Sequence, residues 1–281
     1  MQDAHCEALV RAADRDRFLA TLFAPAEHRS ALFALYAFNL EVARVREVIR
    51  DPLSGEIRLQ WWSDVLHGEG RGEVGAHPVA AALRATIARY QLPVERLDAL
   101  IAARRFDLYD DPMATLADLD SYAGGVSSNL IALAAQILDA GRKPDIGALV
   151  HHAGLGSAMA GLLKAFPIHA GRGQLFLPLE ILERHGTDRQ AVAGRQASPE
   201  LRAALAELRL HARRHLAAAR SMIASASPAV LPALLTVALA GPMLARMERR
   251  DYDPFVPVEI AQWRRQWLIW RAARRPARIF C

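Results

Sequence analysis

The chain has 281 residues, 52% of them hydrophobic and 23% charged, enough for a sizeable core and compatible with one large domain or two small ones. The net charge is +5, and Lys143 and Lys164 are the only lysines among 35 basic residues; the arginine excess fits a codon bias or an anionic partner such as phosphate groups or a membrane surface. Cys6 and Cys281, at opposite ends in segments expected to fray, exclude a disulfide framework and a zinc-finger spacing and fit a reducing compartment.

Alanine, leucine and arginine dominate, strand-forming runs are scarce, and helix is favoured throughout. The first 20 residues mix charges with apolar positions, so no signal peptide is expected. After Asp14-Arg15-Asp16, apolar residues recur at helical spacing, and Pro25 separates two helices. The second, Ala26 to Ile49, stacks Leu32, Leu35, Tyr36, Phe38 and Val42 and is ended by Asp51-Pro52. A short helix over Glu56 to Leu66 carries Trp61 and Trp62, and a Gly-rich loop covers 67–75.

Helices follow over 78–90, 94–107, 115–121 and 127–139, then a turn at 141–144. The nearly uncharged segment 146–166 carries Gly154, Gly156 and Gly161, suiting a cavity wall or tight packing. Pro167 to Gly173 is expected to break that helix, and Pro178 suits the first turn of the next. Long helices cover 199–225 and 229–249, and 257–274 is the last. Ala229 to Ala245 is apolar but interrupted by Pro232, Thr236, Gly241 and Pro242, so it reads as buried helix and not as a membrane span. With no linker or repeat, the pattern is one all-helical domain.

Two segments carry a family resemblance. Leu35-Tyr36-Ala37-Phe38-Asn39-Leu40-Glu41-Val42-Ala43-Arg44-Val45-Arg46-Glu47 resembles the first signature of the squalene/phytoene synthase family, in which a Tyr-Ala-Phe stretch precedes an aspartate cluster. Ala158 to Pro178 is similar, without gaps, to the second signature, and Arg29 falls where the family has an arginine. The resemblance implies an all-α isoprenoid-synthase helical bundle around a central cavity. It also implies acids on two helices that hold magnesium while an allylic diphosphate ionises. Here the first signature's acidic positions hold Ala43, Arg44 and Glu47, and the second's hold Ala165, Ile168 and His169. Five of six acids are gone, and imidazole is a poor magnesium ligand.

Phe38 to Ala43, Gly55 to Trp62, Val150-His151-His152-Ala153, Leu163 to His169 and Asp251-Tyr252-Asp253-Pro254 resemble a branch of that family, the mitochondrial complex I assembly factor. That branch implies a catalytically inactive protein without cofactor, whose partners are respiratory complex I subunits or assembly intermediates. A membrane surface or a prenyl lipid are further partners, nucleic acid is not, and the location is cytoplasmic or peripheral on the inner membrane. Two alternatives stay open: an active head-to-head prenyltransferase using magnesium, and an isoprenoid-binding protein.

Candidate pocket or anion-binding residues are Arg29, Tyr36, Asn39, Glu41, Arg44, Glu47, Lys164, His169 and Arg172. Each has a plainer reading. The aromatics Tyr36, Phe38, Trp61 and Trp62 suit core as well as pocket. Glu41 suits a pair with Arg44 or Arg46 on its own helix. His169 and Arg172, in the expected loop, suit either a contact role or a structural hydrogen bond. His151-His152 suits a surface pair or a helix-start contact; a metal site there lacks identifiable further ligands. Asp107, Asp110 and Asp111, with Asp118 and Asp120 downstream, read as a solvated acidic turn.

Near the end, Trp263, Trp267 and Trp270 share one helical face amid Arg264, Arg265, Arg271, Arg274, Arg275 and Arg278. That pattern suits an interfacial helix contacting a membrane or partner, or tryptophans packed on the bundle with arginines in water.

Overall fold

A computed structural model describes residues 2–49, 51–70 and 74–280. Cys281 and residues 71–73 of the Gly-rich loop lie outside them. The described residues form helices and turns and no strand. In chain order the α-helices are α1 Gln2–Ala13, α2 Arg15–Thr21, α3 Ala26–Ala43, α4 Val45–Val48, α5 Pro52–His67, α6 Pro78–Tyr90, α7 Val94–Arg105 and α8 Leu116–Ala123. They continue as α9 Asn129–Leu138, α10 Gly147–Gly171, α11 Leu179–Arg184, α12 Arg189–Ala193, α13 Pro199–Met222, α14 Ala240–Met247 and α15 Gln262–Arg274. Side-chain caps set several starts: Asp14, Asp51, Asp188 and Ser198 accept backbone N–H groups, and Thr115 with Asp118 closes a full capping box on α8. Gly68, at φ +80°, ends α5 in the left-handed region that favours glycine.

The helices gather into two compact units, each made of segments far apart in sequence. The first unit holds Met1–Tyr109, Asn129–Gly147 and Ser225–Thr236. Its centre is α3, where every residue from Ala31 to Asn39 is buried, so the helix has no solvent face over that stretch. Helices α1, α6 and α9 pack on α3, and α5 and α9 pack on α7. Trp62 is fully buried and meets Phe38 edge-to-face with ring centroids 5.1 Å apart. A buried aromatic or leucine of this kind stabilises by about 1.5–3 kcal/mol. Gln136 of α9 donates to the carbonyls of Tyr90, Gln91 and Gly141, tying α9 to the end of α6. Cys6 is fully buried, so α1 is docked and does not fray as its terminal position suggests; burial, then Asp3 and Glu41, pushes its thiol up to about 11.

The second unit holds Asp110–Ser128, Ala148–Ala224 and Val237–Cys281. Here α10 is longer than its sequence pattern, running through Pro167 to Gly171. The ring removes one N–H donor, but the helix carries on for a further turn. It ends where Arg172 and Gln174 both donate to the His169 carbonyl and Gly173 takes φ +75°. Tight packing accounts for two of the small residues of α10. A Cβ on Gly154 would fall 2.2 Å from Ser128 Oγ and 2.6 Å from the Ser128 backbone, and one on Gly156 would fall 2.8 Å from Leu216. Gly161 has open space.

The apolar stretch after α13 is a 3-10 helix over Pro228–Leu239 followed by α14, in place of one long α-helix. Pro228 and Pro232 supply no N–H to an α-helical ladder. The length and composition of Pro228–Met247 would suit a membrane span, yet most of its apolar stretch is buried within the protein. At the other end, α15 begins at Gln262 and leaves 257–261 non-helical.

Candidate functional site

The first signature segment lies across a helix break. α3 stops at Ala43, Arg44 sits at φ −95°, ψ 2°, and α4 starts at Val45. The break puts Arg44 and Glu47 on an exposed corner, where Arg44 Nε donates to Glu47 Oε2 at 3.4 Å. The surviving acid of that cluster is therefore paired at the surface with the arginine that replaced another. Arg46 reaches inward and donates to the Leu108 carbonyl at 2.8 Å. Glu41 does not pair along its own helix: it accepts from Arg58 of α5 at 3.2 Å, with His77 Nε2 4.0 Å from the same oxygen.

The other candidates divide similarly. Arg29 is held locally, donating to the carbonyls of Ala24 and Leu22 beyond α2. Tyr36 is 5% exposed, with the Arg17 guanidinium 5.7 Å from its ring centre, and burial pushes its hydroxyl up to about 12. Asn39 is equally buried, and its Oδ1 has no hydrogen-bond partner among the described residues. Trp61, Trp62, Phe38 and His77 form a ring-on-ring cluster in the first unit's core.

The second signature segment lies on α10 and not in a loop as far as Gly171. Lys164 and Ala165 are half-buried and Ile168 is 49% exposed. His169, in the last turn, stacks on Phe176 with ring centroids 4.5 Å apart, while Arg172 is exposed beyond the helix end. The positions equivalent to magnesium-binding acids thus present a methyl group, a branched alkyl group and an imidazole packed on a phenyl ring. These residues do not fit magnesium, which takes hard oxygen ligands.

The tryptophans of α15 point outward. Trp263, Trp267 and Trp270 are 71%, 46% and 47% exposed, while Leu268, Ile269 and Ala272 on the opposite face are buried. Arg271 lies 4.4 Å from the Trp267 ring centre and Arg274 lies 5.3 Å from that of Trp270, stacking geometries that hold rings and charges together. Beside them an open groove of about 600 Å³ is lined by Arg213, Arg246, Arg249, Arg264, Arg271 and Trp267. Glu248 pairs with Arg213 and Asp251 with Arg249, leaving the groove strongly cationic.

A polar cluster in the second unit was not assembled from the sequence. Asp120 of α8 faces His211 of α13, with His211 Nε2 3.0 Å from Asp120 Oδ1. One turn on, His215 Nε2 lies 3.3 Å from His211 Nε2, and His215 Nδ1 lies 2.9 Å from His152 Nδ1 of α10. Burial pushes the His215 imidazole down to about 4, and His211 pushes the same way against Asp120. Of the expected solvated acidic turn, Asp110 and Asp111 lie exposed in a non-helical segment, while Asp107 pairs with Arg104 at 2.8 Å, Asp118 caps α8, and Asp120 joins the histidines. His211-Ala-Arg-Arg-His215, with histidines four apart on a helix, was the available sequence signal.

The family model for squalene/phytoene synthase matches residues 10–271. The chain belongs to the squalene/phytoene synthase family. Its similarity within that family reaches two kinds of relative. The human protein "NADH dehydrogenase (ubiquinone) complex I, assembly factor 6" is 30% identical over 257 residues, covering 91% of this chain and 76% of the relative. The presqualene diphosphate synthase of Rhodopseudomonas palustris is 30% identical over 199 residues, 69% of each chain. Among solved structures, squalene synthase HpnC from Alicyclobacillus acidocaldarius superposes with a TM-score of 0.78 at 21% identity, covering 90% of this chain and 95% of that one. The family fold is kept while five of the six acidic positions of its two signatures are not.

Proposed function

We propose that this chain is a non-catalytic member of its family that serves the assembly of respiratory NADH dehydrogenase (complex I), working from a membrane surface. The observation that carries the loss of catalysis is the Arg44–Glu47 pair at the break between α3 and α4. An arginine at a metal-ligand position repels a cation, and the remaining carboxylate is already engaged. With Ala165, Ile168 and His169 in the second cluster, the two signatures keep no set of oxygen ligands to hold the magnesium that would neutralise a departing diphosphate. The assembly role is supported by the similarity, over most of the chain, to relatives named as complex I assembly factors.

A peripheral place on the cytoplasmic side of the inner membrane is supported by α15. Its three exposed tryptophans suit the headgroup boundary, and the neighbouring arginines suit anionic lipid. Partners in this reading are complex I subunits or assembly intermediates.

Deleting the gene in its own organism and measuring assembled NADH:quinone oxidoreductase tests the role; normal assembly would refute it. Incubation of the purified chain with farnesyl or geranylgeranyl diphosphate and magnesium tests the loss of catalysis. Product formation in that assay would restore the prenyltransferase reading.

A further inference from the structure

We propose that Asp120, His211 and His215 form a binding site for one divalent transition-metal ion of the zinc type, with His152 orienting His215 from behind. None of these residues belongs to the two signature segments, and the inference does not depend on the assembly role.

A carboxylate oxygen of Asp120 and a ring nitrogen from each of His211 and His215 all lie within 4.8 Å of one another. Two of the edges are tighter, at 3.0 Å from His211 Nε2 to Asp120 Oδ1 and 3.3 Å between the two Nε2 atoms. Ligands about 2.0–2.1 Å from a tetrahedral zinc stand roughly 3.3–3.4 Å apart. The side chains thus already sit close to the spacing of a ligand shell. Three donors leave a fourth position for water or an external group.

His215 Nδ1 faces His152 Nδ1 at 2.9 Å, which places a proton between these two nitrogens. With His215 as its donor, His215 Nε2 carries its lone pair toward His211 and Asp120. A ligating histidine ordinarily has its other N–H held in this way, which fixes the ring and raises its basicity. His152 is half-buried, so the hydrogen bond is partly sheltered from water.

His211 and His215 stand one turn apart on the 24-residue α13. Asp120 stands on α8, whose start is fixed by the Thr115–Asp118 capping box and by Glu180 accepting the Leu116 N–H. Gly156 of α10 lies so close to Leu216 that no Cβ fits without movement, which seats α10 and His152 against the same turn of α13. The donor set of two imidazoles and one carboxylate favours zinc, cobalt, iron or nickel over magnesium or calcium. A bound ion would clip α8 to α13.

The test is titration of the full chain with zinc by calorimetry, and with cobalt by visible absorption. One equivalent is expected, with cobalt giving the intense d–d bands of a four-coordinate site and magnesium giving no heat. His215→Gln and Asp120→Asn are each expected to weaken zinc at least 100-fold, and His152→Gln by about 10- to 100-fold at unchanged stoichiometry. Should a variant fail to fold, imidazole NMR of the unmodified chain decides: zinc must shift the His211 and His215 ring signals selectively. Absence of saturable zinc binding below millimolar concentration overturns the proposal. So does binding unaffected by His215→Gln, or zinc shifts confined to other histidines.

Discussion

Two glycines of the same helix provide a sign test of the packing. Both Gly154 and Gly161 lie inside α10, so replacing either with alanine gains about 0.8–1 kcal/mol of helix propensity. At Gly161 nothing stands within 4 Å of the new Cβ, and the gain is kept. At Gly154 the Cβ meets Ser128 backbone nitrogen and Cα at 2.6 Å, which only a shift of the α10 backbone against the π-helical segment Gly124–Ser128 relieves. Overpacking of this kind costs about 1–3 kcal/mol, and contact with backbone puts it near the upper end. Gly154→Ala is therefore expected to destabilise by about 2 kcal/mol and Gly161→Ala to stabilise by about 1 kcal/mol. Urea unfolding followed by circular dichroism, with unchanged m, reads both. Midpoints that move in the same direction by similar amounts would refute the close approach and leave helix propensity as the only effect.

Phe38→Ala is expected to cost about 3–5 kcal/mol, since the ring is fully buried against Trp62, whereas Trp263→Ala should stay within about 0.5 kcal/mol while weakening binding to anionic vesicles in a sedimentation assay. Thr115→Ala removes the cap of α8 and should cost about 1 kcal/mol in thermal unfolding. Hydrogen bonds from Thr115 hold the Asp118 carboxyl below its usual range, so its contribution is present above about pH 4 and fades as pH falls through the folded value; Asp118→Asn should abolish that part of the acid slope. In a Cys281→Ser chain, Cys6 should resist iodoacetamide at pH 8 until the protein unfolds. Its raised thiol value also means that stability falls as pH rises from about 9 toward about 11, the interval in which only the unfolded thiol ionises; equal labelling of folded and unfolded chain would contradict this.

Much of the helical layout was legible in the sequence because its signals are local. Asp51-Pro52 marks the end of the second helix in the sequence, the helices expected over 78–90, 94–107 and 199–225 lie close to α6, α7 and α13, and periodic leucines mark the buried faces of α7 and α13. The replaced acids were legible too, since an aligned motif shows a substitution without any coordinates. Local rules failed at Pro167, which reads as a break but lies within α10, where flanking residues such as Phe166 and Ala170 are buried. They failed again at Cys6, whose burial comes from α3 and α6 and not from its own segment.

Sequence by itself determined the helical class, the family frame and the loss of the acidic clusters, because each rests on residue type at fixed spacing along one strand of chain. Tertiary structure alone decided where the charges go. Glu41 meets Arg58 across two helices, the tryptophans of α15 face water, and Asp120 finds His211 across 91 positions of chain. Helical periodicity records which face a residue occupies, but the helix opposite that face is chosen by packing, and the chemistry of this cluster arises only where two such faces meet.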